Sequence, residues 1–167
     1  RWGLHEDRRA GVVRSECRQN GDGESWYNLT AMYEMFEHTA DLGLRVRADD
    51  LPGLIAEAGR GLTAMLVDNP DSVRAIDEIV IRVEGDQPEY LLFDWLNELL
   101  YRYDSQQWLG REFEVQLDST GLEGIARGEP VDRGRHQLAR EVKAITYHQL
   151  IVEQQGDEWQ AELIVDI

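Results

Sequence analysis

Residues 41–66 read DLGLRVRADDLPGLIAEAGRGLTAML, and the fold class turns on a change of period inside that stretch. Leu42, Leu44 and Val46 alternate with Gly43, Arg45 and Arg47, the period-two signature of a strand with one buried face. From Leu51 onward the apolar residues Leu54, Ile55, Ala58, Leu62, Met65 and Leu66 recur at three- and four-residue steps, so they form one stripe of a helix. Asp49-Asp50 stands between the two patterns as an N-cap. Pro52 follows in the first turn, where its missing N–H has no helical partner to lose. Gly53, Gly59 and Gly61 weaken the helix locally and suit close packing against a sheet. Asp68-Asn69-Pro70-Asp71 ends it.

Outward from this core the same logic continues. Ile79, Ile81 and Val83 predict a second alternating strand closed by Gly85-Asp86. Residues 88–105 predict a longer helix, with Leu91, Leu92, Trp95, Leu96, Leu99, Leu100 and Tyr103 making a wide apolar face. Its polar side carries Asp94, Glu98 and Arg102 in one row, where acid and base support the helix. Further strands are expected at 112–118, 121–128, 137–153 and 158–166, with Gly156-Asp157 as a hairpin turn. Strands cluster toward the end of the chain. The expected fold is therefore α+β, a largely antiparallel or mixed β-sheet packed with two main α-helices, rather than a doubly wound sheet.

The 167 residues are enough for one domain with a core of its own, and 42% of them are hydrophobic. Residues 1–31 differ from the rest: they lack periodicity and contain the flexible run Gly21-Asp22-Gly23-Glu24-Ser25. They are read as a disordered N-terminal extension, with residues 32–167 as the folded domain and Met32 a candidate natural start. The net charge is −16. The extension balances its five arginines with five acids, so the whole acidic excess falls in the domain. Such a surface argues against direct nucleic-acid binding, which relies on clustered Lys and Arg, and suits a basic partner or a cation. Cys17 is the single cysteine, which excludes a disulfide framework or a Cys-rich zinc site. No apolar run is long enough to cross a bilayer and no secretory signal opens the chain, so a cytoplasmic protein without membrane contact is expected.

Four dense blocks occur in a fixed order: His38-Thr39-Ala40-Asp41, then Trp95-Leu96-Asn97-Glu98-Leu99-Leu100-Tyr101, then Glu141-Val142-Lys143-Ala144-Ile145-Thr146-Tyr147-His148, and finally Val165-Asp166-Ile167. Over roughly residues 35–167 this order resembles the archease family, small proteins that activate the RtcB type of RNA-splicing ligase. The resemblance implies a non-catalytic activator. Its client attaches GMP to an active-site histidine and joins RNA ends, as in tRNA splicing and RNA repair. An archease promotes that guanylylation and multiple turnover.

The resemblance also implies site residues. Asp41 and Asp166 match the family's metal-binding aspartates, with Ile167 as an implied third ligand. If the two strand ends carrying them meet, the anionic oxygens would repel one another without a cation between them. Oxygen-only ligation favours calcium, magnesium or manganese over zinc. Lys143 matches a functionally important lysine; it could neutralise Asp41 or Asp166, donate to a group on the partner, or face outward as an ordinary strand lysine. His38, His148 and Glu98 belong to the same blocks and are candidates for the functional face. His136, which follows the Gly128-Glu129-Pro130-x-Asp132 turn, lacks the spacing and the cysteine company of a zinc ligand.

No Gly-rich phosphate loop, Gly-x-Ser-x-Gly elbow or dinucleotide fingerprint is present in the sequence. Two other readings remain open. One is a metal-dependent hydrolase using Asp41, His38, Asp166 and Lys143 on a small substrate, which turnover by the isolated protein would reveal. The other is a chaperone-like binding module for RNA-modifying proteins, which would stimulate unrelated partners regardless of Asp41.

Overall fold

The computed structural model describes residues 31–167. Eight strands and two helices follow one another as β1 (Ala31–His38), β2 (Asp41–Ala48), α1 (Leu51–Leu66), β3 (Asp77–Glu84), α2 (Pro88–Gln106), β4 (Trp108–Leu117), β5 (Gly121–Pro130), β6 (Ala144–Ile145), β7 (Ile151–Gln155) and β8 (Glu158–Asp166). They form two antiparallel sheets. One runs β1-β2-β8-β6 with β7 also paired to β8, and the other runs β3-β5-β4. The α+β expectation holds, with the strands divided between two sheets.

Local chemistry explains the helices. Asp50 is the N-cap of α1, its Oδ1 accepting from the Gly53 amide at 2.6 Å, which satisfies one of the orphan donors at the helix start. α2 stops where Gln107 turns left-handed (φ 51°) and its amide folds back to Arg102 and Tyr103 oxygens. α1 packs on both sheets, and its glycines allow the approach: a Cβ on Gly61 would lie 2.6 Å from Leu44 of β2, and one on Gly59 would lie 3.2 Å from Phe113 of β4. Trp95 of α2 is fully buried. Its indole lies over Gly124 of β5 and meets Phe113 edge-on, with centroids 6.1 Å apart.

Two differences from the expected elements have physical causes. β1 carries no clean alternation, because its outward residues Met32 and Phe36 are apolar. The Phe36 ring occupies the space above Gly43, where an added Cβ would sit 2.1 Å from the ring. The Arg45 guanidinium covers the same ring at 5.0 Å while bonding Glu162 at 2.9 and 3.0 Å, a cation–π contact added to an ion pair. Gly43→Val is accordingly expected to expel the ring and lower stability by about 1–3 kcal/mol. Urea unfolding measures this, and an unchanged midpoint would mean that the ring finds an equally good seat.

The second difference is at 137–153, which is not one strand. Residues 137–139 instead bind the segment after α1: the Asp68 amide donates to the Gln137 oxygen at 2.8 Å, the Ala139 amide to the Leu66 oxygen at 2.9 Å, and the Gln137 amide to Asn69 Oδ1 at 2.8 Å. Only Ala144–Ile145 and Ile151–Gln155 then join β8, separated by a turn with Gln149 at φ 58°. The disordered state expected for residues 1–31 concerns positions outside the described residues, except Ala31, which opens β1.

A candidate metal and partner site at the strand ends

Four strand ends meet at one rim of the larger sheet. The β1–β2 turn uses Thr39 at φ 53° and sets His38 opposite Asp41. β2 and β8 pair Leu42 with Val165, and one further step of that register sets Asp41 beside Asp166. On the other side of β8, Ala144 pairs with Asp166. Directly opposed residues of an antiparallel pair share a face. His38, Asp41, Asp166 and Ala144 therefore form a row across four strands, on the face away from buried Leu44 and Val46.

Lys143 completes the rim. It lies just before β6 rather than inside a long strand; its amide donates to the Asp166 oxygen at 2.8 Å and its Nζ to the main-chain oxygen of Ile167 at 3.0 Å. Asp41, Asp166 and Ile167 are half-buried, and Lys143 is exposed. The donors gathered here are two carboxylates and a main-chain oxygen, the hard set that suits calcium, magnesium or manganese. Among the described residues no group of three or more His, Cys, Asp or Glu is arranged to hold a metal ion; the oxygen beside the two carboxylates is the main-chain one of Ile167. Lys143 holds that oxygen with its ammonium group.

The remaining sequence candidates lie elsewhere. Glu98 pairs with Arg102 at 3.0 Å along the exposed row of α2, not with Lys143. His148 is exposed in the turn after β6. Its neighbours fasten that turn: Thr146 Oγ1 donates to the Ile164 oxygen at 3.0 Å, and Tyr147 stacks on Phe93 of α2 at 3.8 Å between centroids, with Tyr90 edge-on at 5.7 Å. Packing against those rings pushes the Tyr147 phenol up, and Asp94 adds to the effect. This aromatic cluster escaped the sequence reading. Its signal was Tyr90 and Phe93 three residues apart at the start of α2.

His136 has a structural role. It is 3% exposed, its Nδ1 accepts from the Asp132 amide at 3.0 Å, and its Nε2 lies 3.0 Å from Glu129 Oε1. With Nδ1 accepting, Nε2 is left as the ring nitrogen that can donate, and it faces Glu129. Glu129 also receives both terminal nitrogens of Arg135, at 2.7 and 2.8 Å, and the Arg74 amide at 2.8 Å. The Arg135 guanidinium, first among these contacts, holds the Glu129 carboxyl down at about 2.

The comparisons with known proteins agree with this architecture. The sequence profile of the Archease protein family matches residues 33–167. A protein archease of Methanopyrus kandleri is 40% identical over 139 residues, which is 81% of this chain and 99% of the relative. One from Pyrococcus furiosus is 39% identical over 143 residues, 81% of this chain and 98% of the relative. The solution structure of a Methanobacterium thermoautotrophicum protein superposes with a TM-score of 0.69 at 30% identity, covering 81% of this chain and 98% of that one. The crystal structure of a Thermotoga maritima archease, described as a possible chaperone, shares the fold with a TM-score of 0.57 at 21% identity, covering 79% and 94% of the two chains. A family profile spanning nearly every described residue, and a structural relative with the same architecture at 30% identity, establish that the chain belongs to the archease family.

Proposed function

We propose that this protein is a non-catalytic activator of an RtcB-type RNA ligase, promoting the ligase's GTP-dependent guanylylation through the rim at Asp41, Asp166, Ile167 and Lys143. The observation that carries the reading is the convergence of these residues, from three separate sequence blocks, at adjacent strand ends of a chain with net charge −16. An acidic rim complements the basic cleft that an RNA-joining enzyme needs for its phosphate-rich substrate. Asp41, Asp166 and the Ile167 oxygen would hold a calcium, magnesium or manganese ion. The bound ion would supply positive charge near the nucleotide phosphates. The chain's own part is to present these oxygens on paired strands, so that little ordering remains to be done when the partner docks. Lys143 and His38 stand at the rim to contact the partner, with His148 in the turn after β6 and Glu98 on α2 further from it. Metal-dependent hydrolysis of a small substrate is the competing use of the same residues.

The test is guanylylation of a purified RtcB-type ligase at limiting GTP, with and without this protein. Substoichiometric amounts should stimulate it, and Asp41→Asn should reduce the stimulation at least tenfold while also weakening calcium or manganese binding in calorimetry. Full stimulation by a folded Asp41→Asn protein would refute the assignment, and turnover of a small substrate without the ligase would favour the hydrolase.

A further inference from the structure

β3 is an edge strand: among the described residues it pairs only with β5, in an unbroken register from Asp77 opposite Gly128 to Glu84 opposite Gly121. Eight residues without proline, centred on Ile79-Val80-Ile81, make an edge that another strand can join. One step past its end the Gly85 amide donates to the Thr120 oxygen at 3.0 Å. Hydrogen-bonded and non-bonded pairs alternate along an antiparallel ladder, so the odd-numbered residues of β3 turn their N–H and C=O groups to β5, and Glu78, Val80 and Arg82 turn theirs to the open side. Of the six large apolar residues left exposed in the described part of the chain, three border this edge: Val80 within it, Ile76 just before it, and Tyr101 on α2 across a cleft shared with Arg82 and Glu84.

We propose that β3 is a self-association site, where a second copy of this chain adds its own β3 antiparallel about a two-fold axis at Val80. The occupant follows from charge. With Val80 opposite Val80 of the second copy, Glu78 stands opposite its Arg82 and Arg82 opposite its Glu78. Both residues are exposed on the outer face, where Glu78 pairs with Arg127 at 3.0 Å and Arg82 with Glu123 at 2.7 Å. The contact joins these pairs into one row of alternating sign: Glu123, Arg82, then Glu78 and Arg127 of the second copy. On the inner face Ile79 meets Ile81 of the second copy, so the apolar layer continues across the axis. The same open-side amides also fit registers shifted by two residues. One of these sets Glu78 against Glu84 and the other sets Arg82 against Ile76, so only the register centred on Val80 matches both charges. An isologous contact of this kind closes as a dimer. It is separate from the rim, which lies on the larger sheet.

The experiment is sedimentation equilibrium of the full chain from micromolar to submillimolar concentration, at about 0.15 M salt, where surface charges more than about 8 Å apart are screened. The weight-average mass should rise with concentration toward twice that of the chain. Glu78→Arg and Arg82→Glu should each weaken the dimer at least tenfold, because like charges then face each other across the axis. An equimolar mixture of the two variants should restore it, since every Arg then meets a Glu. Each variant also loses an ion pair within its own chain, and mixing cannot repair that loss, so restoration reports the contact between copies. Val80→Lys, at the axis and outside both ion pairs, should likewise abolish association, which keeps the test valid if a charge variant folds poorly. A monomer at every concentration, a dimer that none of the substitutions weakens, or a mixture that stays monomeric would overturn the proposal.

Discussion

Glu129→Ala is expected to lower the unfolding free energy by about 3–5 kcal/mol at neutral pH, the usual consequence of removing one partner from a buried ion pair. Glu129 is 3% exposed and receives Arg135, His136 and the Arg74 amide together. Removing it takes the shared acceptor from all three and leaves the Arg74 amide and His136 Nε2 without a partner carboxylate. Arg135 Nη1 also donates to the Ser72 oxygen at 2.6 Å, and Asn69 Nδ2 to the Arg135 oxygen at 3.0 Å. The loop after β5 should therefore loosen from the segment after α1.

The pH dependence has a definite sign. The Glu129 carboxyl is lowered from 4.5 to about 2 in the folded protein, so its contribution is fully present above about 4.5. It is lost as the pH falls toward 2 and the folded state must take up the proton. That depression corresponds to about 3 kcal/mol, in line with the loss expected for the substitution. Denaturant unfolding at pH 7 and at pH 2–3 should show a large gap between wild type and Glu129→Ala that narrows in acid. A gap of constant size would mean that the carboxylate is not held by its charge.

Lys143→Met should separate the two roles the rim could give this lysine. Its Nζ bonds the Ile167 main-chain oxygen at 3.0 Å, the oxygen proposed as the third metal ligand. Removing the ammonium group frees that oxygen and deletes a positive charge beside Asp166. Calcium or manganese should bind several-fold more tightly in calorimetry, since an opposing charge and a competing donor disappear together. Under the proposed function, stimulation of the ligase should nevertheless fall at least tenfold, because the exposed ammonium would be the rim's own cationic contact for the partner. Weaker metal binding would instead make Lys143 a support for the ligand geometry, and unchanged stimulation would remove it from the interface.

Legibility in the sequence followed the range of the interactions. The α1 cap at Asp50, the β2 alternation and the body of α2 depend on residues a few positions apart, and each could be read directly. The Glu98–Arg102 pair was readable for the same reason. β1 was hidden because its outward Phe36 answers to Gly43 on the neighbouring strand. Residues 137–139 were misread because their hydrogen bonds go to Leu66, Asp68 and Asn69, about 70 positions earlier.

The rim shows the same limit. Asp41 and Asp166 stood out as strand-end residues, but only the register of β2 on β8 makes them neighbours, and nothing local tied Lys143 to Ile167. Buried Glu57 on α1 had a signal that went unused. It lies three residues after Leu54, on the apolar stripe, where a carboxylate is an exception to the helix pattern.

The position of β8 governs how the molecule comes into being. This strand lies between β2 on one side and β6 and β7 on the other, so the larger sheet is assembled around a strand more than 100 positions after β2. A nascent chain halted before Glu158 would carry the β1–β2 hairpin with one edge open and no partner for β6 or β7, the kind of unpaired edge that invites association with other chains. It would also lack Asp166 and Ile167. A copy that lacks β8 therefore lacks both the closed sheet and the complete rim.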